Sequence, residues 1–429
     1  MSKKTRTILF LTCLFLFFVA APSIILYSLG YRFDFENRQL TQTGGFGFKA
    51  KPKQVEIYID GELAKKTDFL VGSALVENLL PRKYKIEVKK EGYLTWEKNL
   101  EIKEKEVIEI RNIILFPKNI NFTTLTKGVK NFWFSPDDKK IILLEIEEDG
   151  ETWALKLYDL ERNIKSHLIS EGDVNQNGAN LLNLEFSEDS KEIYLDTKTA
   201  EISSNSMPED QGKTFILRLD KLPVRLTEKE ITTSSENIIT SKKYNQDVYY
   251  LDNTGYVFKN ELRVNEIAFP VKAEAEYTLE IFPDFIFLTT EDRILYLFSP
   301  ESNSFEIFFN GVNNLKISPG RKKLVFFSNS EVWVLFLKDE GVKKTGEKLF
   351  LVRLSEKIGD VFWLNSDYLV LNSGDNLKIV EIDERDRIQT WDIASTQRFD
   401  VERGVYFTGD SKKLYILSEE NLFASEEIF

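Results

Sequence analysis

The sequence predicts an all-β protein behind one N-terminal transmembrane helix: a small β-sandwich, then a seven-bladed β-propeller. Three observations lead there. An uncharged apolar run stands near the N-terminus, strict two-residue alternation follows it, and a strand–turn–strand unit then recurs seven times along the chain.

The apolar run is the stretch Thr7–Tyr31, with no charged residue between Arg6 and Arg32. As a helix it would span about 37 Å, enough to cross a hydrocarbon core of about 30 Å. Pro22 lies inside it, which membrane helices tolerate. Lys3, Lys4 and Arg6 precede the run and only Arg32 follows closely, so the charge bias puts residues 1–6 in the cytoplasm and the bulk of the chain outside it. This predicts a single-pass anchor in the plasma membrane. A cleaved signal peptide is the rival reading. Val19-Ala20-Ala21 offers small residues, but the apolar stretch continues beyond them through Ile24, Ile25, Leu26 and Leu29. Cys13 sits too deep in the run for a lipid-modified N-terminus. Residues 32–45 lack sustained periodicity, end in Gly44-Gly45, and read as a stalk or linker.

Alternation begins in earnest after Lys51. Val55, Ile57 and Ile59 share one strand face, and Asp60-Gly61 signals a tight hairpin. Tyr84, Ile86 and Val88 then alternate with Lys85, Glu87 and Lys89. Residues 46–118 therefore form a small β domain, near the lower size limit for independent stability. The segments PxxVxIYIDG (Pro52 to Gly61) and LPRKYKIEVKKEGYLTW (Leu80 to Trp96) resemble the PEGA domain family. The chain departs from that family at the name-giving tetrapeptide, here Pro52-Lys53-Gln54-Val55, and has Lys83 where the family usually has Gly. The resemblance implies an envelope-associated β-sandwich without catalysis.

Residues 119–429 repeat. The clearest copies are NFWFSPDDKKIILL from Asn131, LEFSEDSKEIYL from Leu184, LKISPGRKKLVFF from Leu315, VFWLNSDYLVL from Val361 and VYFTGDSKKLYIL from Val405. Weaker copies start at Ser241 and Leu279. Their turns begin near Ser135, Ser187, Tyr244, Phe282, Ser318, Leu364 and Thr408. Each copy is followed by a second hairpin, and two hairpins make a four-stranded blade. One blade cannot bury both faces alone, whereas blades stacked in a ring can. The last copy supplies only three strands, so the fourth is expected from Asn119–Thr126. The SPDDKKI-type turn resembles the WD-like repeats of TolB-type propellers. Its Asp residues are expected to cap turns.

Composition narrows the function. A net charge of −12, reached despite three cations at the N-terminus, argues against nucleic acid as a partner. One His (His167) and one Cys (Cys13) leave no intrachain disulfide and no ordinary Cys/His zinc site. No nucleophile elbow, P-loop or dinucleotide fingerprint occurs, and no cofactor is expected. The segment Asp173-x-Asn175-x-Asn177-Gly178 resembles half a calcium loop, but its twelfth position is Leu184, with Glu185 one later. It reads first as a polar inter-blade loop and second as a weak calcium site.

Aligning the copies on their turns, the residue two before each turn varies while its neighbours stay apolar. It is read as Trp133, Glu185, Lys316, Trp363 and Tyr406 in the first, second, fifth, sixth and seventh copies. Trp133, Trp363 and Tyr406 would then form an aromatic arc, serving either inter-blade packing or a ligand surface. The expected function is non-catalytic binding or scaffolding at the cell envelope, with a protein or glycan partner. The alternative is an envelope hydrolase using acidic residues on the propeller face.

Overall fold

Helix α1 (Lys3–Ser28) carries the apolar run, with Pro22 inside it. It is long and apolar enough to cross a membrane, and most of its apolar side chains are exposed. This computed structural model describes residues 3–429 except 36, 148–149, 151, 176–177, 188, 200–210, 221–225, 229–236, 274, 375 and 394–403. It divides into two compact units. The small one comprises Met1–Ile120 with Glu381–Ala394 and Ile428–Phe429, and the large one comprises Asn121–Val380 with Ser395–Glu427.

In the small unit, α1 leads into a hairpin of β1 (Tyr31–Asp34) and β2 (Gln39–Gln42). Residues 32–45 are thus not the expected stalk. The Thr43 amide and hydroxyl both donate to the Gly30 carbonyl, at 2.9 and 2.8 Å. Arg32 lies 3.5 Å over the Tyr27 ring and donates to Asn78 Oδ1 at 2.6 Å. Gly44 and Gly45 open β3 (Gly44–Lys51), where a Cβ at Gly44 would collide with the Glu106 carbonyl and the Ile102 side chain. These glycines mark close packing, a signal that resembles linker composition in sequence alone.

Two sheets follow. One is β4 (Glu56–Ile59), β5 (Glu62–Lys66), β7 (Lys83–Lys89) and β8 (Trp96–Glu101), ordered β5-β4-β7-β8. The other places β3 between β6 (Ser73–Leu79) and β9 (Val107–Ile114), with β3 and β9 parallel. Asp60 and Gly61 both take positive φ, 50° and 85°, as a two-residue hairpin turn of this twist requires. Phe46, Phe48, Ile57, Ile86, Trp96 and Ile110 meet in one core between the sheets.

On β8 the alternation carries a charge inward. Trp96, Lys98 and Leu100 are all buried, and the Lys98 side chain is 0% exposed. Its ammonium donates to the carbonyls of Asp383, Arg385 and Arg387 at 2.6, 3.0 and 3.0 Å, and stands 3.1 Å from Glu381 Oε2. Glu381 Oε1 accepts the Trp96 indole N–H at 3.0 Å. Asp386 accepts from the amide and side chain of Asn99, and Arg387 pairs with Glu97. The small unit is therefore completed by a segment far along the chain, which a boundary at 118 does not anticipate.

In the large unit, seven sheets succeed one another, six of them four-stranded and antiparallel throughout. Their first strands are Val129–Phe134, Ala179–Phe186, Ile238–Tyr244, Tyr277–Phe282, Asn314–Ile317, Ile358–Trp363 and Val405–Thr408. Consecutive sheets bury apolar faces against each other. Ile142 and Leu155 of the first meet Leu184, Ile193 and Leu195 of the second. Leu251 of the third meets Leu279 and Leu288 of the fourth, and Phe287 and Leu295 of the fourth meet Leu324 and Phe326 of the fifth. The seventh returns to the first, with Leu417 and Leu422 against Val129, Ile141 and Leu143. Last-to-first packing of this kind makes a β-propeller. The ring is fastened by β10 (Phe122–Lys127), which pairs antiparallel with Asn421–Ser425, Phe122 opposite Ser425 and Lys127 opposite Asn421.

The turns use the expected side-chain chemistry. Ser135 Oγ donates to Asp137 Oδ1 at 2.6 Å and accepts the Lys140 amide at 3.0 Å. Ser187 repeats this with Asp189 and Glu192, at 2.7 and 2.9 Å.

Candidate functional site

A strand that runs along the inside of a blade alternates its side chains between the two neighbouring blades. Residues near its end are covered only in part, so the ends of the innermost strands are where a propeller can offer chemistry. A cleft of about 500 Å³ opens there in the large unit. It is lined by the first strands of the first, second, sixth and seventh sheets, chiefly Phe132, Trp133, Phe134, Glu185, Phe362 and Tyr406.

Two of the three aromatic residues expected to form an arc are here. Tyr406 stacks on Phe134 with centroids 4.0 Å and planes 6° apart, and its hydroxyl donates to Asp138 Oδ1 at 3.0 Å. Asp138 Oδ2 accepts the Gly409 amide at 2.9 Å. Burial pushes the pKa values of both the Tyr406 hydroxyl and the Asp138 carboxyl up. Trp133 is half-buried and packs beside Leu184 and Phe186 of the next sheet.

Trp363 is not part of the cleft. It is 9% exposed, and its indole donates to the Lys316 carbonyl at 2.9 Å. The place assigned to it is held by Phe362. Trp363 stands one residue before the turn that begins at Leu364, whereas Phe362 stands two before it, as Trp133 does before Ser135. A one-residue change exchanges the two faces of a strand.

With that register, the residues two before the seven turns are Trp133, Glu185, Lys242, Glu280, Lys316, Phe362 and Tyr406. Three consecutive aromatics (Phe362, Tyr406, Trp133) are followed by four charges of alternating sign. Lys242 pairs with Glu280 at 3.3 Å, across the third and fourth sheets. Lys316 pairs with Asp360 of the sixth sheet at 2.6 Å and lies 3.8 Å from the Phe362 ring centroid. Burial pulls the Lys316 pKa down. Lys242, Glu280 and Lys316 share the fixed distance from their turns, the signal that could have found the Lys242–Glu280 pair, whereas Asp360 stands two residues earlier in its strand and is not found that way.

The candidate calcium loop is described in part. Asp173 lies in the one-turn helix Glu171–Val174, and its Oδ2 accepts the Ser170 amide at 2.8 Å. Asn175 follows that helix, donating its amide to the Glu171 carbonyl at 3.0 Å. Asn177 lies outside the described residues. His167 is exposed on the outermost strand of the first sheet, Ile164–Ser170. Among the described residues, no group of three or more His, Cys, Asp or Glu side chains is placed to hold a metal ion.

No protein-family model matches this chain, and no curated protein matches it. Several solved structures are similar in part. YCF48 from Cyanidioschyzon merolae is 8% identical, with 71% of this chain and 98% of that one covered, at a TM-score of 0.43. PorZ, a bacterial surface component of the type-IX secretion system of Porphyromonas gingivalis, is 14% identical over 72% of this chain and 39% of its own, at 0.40. The Dos1 propeller is 12% identical over 71% and 94%, at 0.41. The propeller assignment rests on the seven sheets and their closure.

Proposed function

We propose that this protein is a single-pass membrane protein that displays a non-catalytic binding propeller outside the cytoplasm, and that the aromatic cleft receives a protein or glycan partner. The observation that carries the reading is the cleft itself. Large aromatic side chains stand part-exposed on the inner strands, where packing alone would bury them fully. The α1 helix, free of charge from Thr7 to Tyr31 and preceded by three cations, supports the anchor and its orientation. The small β-sandwich, with its PEGA-like segments, supports an envelope location.

The test is affinity capture from envelope extract with the detergent-purified full chain, beside a Trp133→Leu variant of matched melting temperature. A species retained by the parent protein and lost from the variant is the expected result. Equal retention by both would remove the cleft from the function. A hydrolase would instead show turnover of envelope polymers that responds to Glu185→Gln.

A further inference from the structure

The repeat itself indicates what the cleft binds. Counting two residues back from each turn gives equivalent positions around the ring. In the third blade that residue is Lys242, which meets Glu280 of the fourth at 3.3 Å. In the fifth it is Lys316, which meets Asp360 of the sixth at 2.6 Å and lies 3.8 Å from the Phe362 ring centroid. At both junctions an ammonium from this position meets a carboxylate of the next blade, Glu280 at the same position and Asp360 two residues earlier in its strand. At the first junction that pairing is half kept. The second blade supplies its carboxylate, Glu185, but the first blade has Trp133 in place of lysine.

Two groups at that junction are consequently unspent. Glu185 is exposed in the cleft, and no hydrogen bond or ion pair engages its carboxylate among the described residues. Trp133 has no bonded indole N–H among those residues either, whereas the other five tryptophans each donate theirs. Trp96 donates to Glu381, Trp153 to Ala179, Trp333 to Glu331, Trp363 to Lys316 and Trp391 to Thr95.

We propose that the cleft takes a lysine or arginine side chain presented by a peptide segment of a partner protein. This rests on the binding role proposed for the cleft and names its ligand. The incoming cation would sit where the repeat's own lysine stands at two other junctions, against Glu185 and the aromatic faces beside it. The Trp133 indole N–H is free to donate to a carbonyl of the same peptide, which a simple amine lacks. The net charge of −12 favours the approach of a basic partner.

The test is calorimetric titration of the detergent-purified full chain at low salt with acetyl-Gly-Lys-Gly-amide. Acetyl-Gly-norleucine-Gly-amide and the tetramer of N-acetylglucosamine serve as neutral probes. The lysine peptide should bind at least about tenfold more tightly than either, and weaken in high salt. Glu185→Gln should remove that preference. Trp133→Lys should abolish binding of the lysine peptide by supplying the ammonium from within. Equal affinity for the lysine and norleucine peptides, or an unchanged preference in Glu185→Gln, would overturn the cation assignment. Binding of a neutral probe that Trp133→Leu abolishes would sink the cation assignment and leave the cleft a binding site. No binding of any probe would count against both readings.

Discussion

At the scale of single residues, the most consequential side chain is one that hydrophobic alternation assigns to the core although it is charged. Lys98 sits between Trp96 and Leu100 on the inner face of β8, and its cost is offset by three carbonyls and Glu381. Burial nevertheless drives the Glu381 pKa above its ordinary 4.5, even with Lys98 beside it. A carboxyl whose native pKa is raised binds its proton more tightly when folded. Its stabilising contribution is complete below the unfolded pKa and is lost as pH rises through the native one. Acidification from neutral pH toward 4.5 should therefore raise stability through this group, and Glu381→Gln should cancel that part of the response. Urea midpoints at pH 7 and pH 5 test it, and the same pH response in both proteins would contradict it. In the sequence Lys98 stands between Trp96 and Leu100 at two-residue spacing, a place the alternation alone did not single out. Its partner segment is not local, since Asp383, whose carbonyl receives the ammonium, lies 285 positions away.

Elements were the most legible level. The alternation of Val55, Ile57 and Ile59, the Asp60-Gly61 turn and the Ser-x-Asp turns all act through neighbours a few residues apart, so sequence reports them directly. Registers of single strands were less secure. Phe362 and Trp363 are adjacent, large and apolar, so a count off by one from the turn at Leu364 puts the wrong one in the cleft. The closing strand shows the opposite case, where topology made a distant pairing predictable. A blade with three strands needs a fourth, and β10 supplies it through its pairing with Asn421–Ser425. Deleting Phe122–Lys127 should lower the melting temperature by several degrees. It should also speed amide exchange at Asn421–Ser425, and unchanged protection there would speak against closure.

For the whole molecule, the sequence conveyed the number and kind of modules better than their limits. Linker-like glycines at 44–45 turned out to be packed, and the small unit turned out to be discontinuous. Cutting at its apparent end has a predictable penalty. A fragment of residues 32–120 lacks the carbonyls and the carboxylate that receive Lys98 and the Trp96 indole. The fragment should be markedly unstable, with Lys98→Met recovering part of the deficit, as read by urea unfolding. Equal stability of fragment and variant would show that Lys98 is not the limiting contact. The candidate cleft follows the same division. Its aromatic character was legible from the repeats, whereas the unspent Glu185 and Trp133 indole emerge only once every other partner is placed.

Ring closure also sets a schedule for biogenesis. Thr123 of β10 leaves the ribosome early, yet the Ala424 carbonyl that its hydroxyl engages comes 301 positions later. At about 5–20 residues per second, that interval is roughly 15 to 60 seconds. Throughout it, β10 is an unpaired edge in a chain whose first hydrophobic segment is already fit for membrane insertion. The strand that ends up as the fastener is thus the longest to wait. Its polar make-up, with Thr123, Thr124, Thr126 and Lys127 among six residues, suits a segment that must stay soluble and unattached until the last blade is delivered.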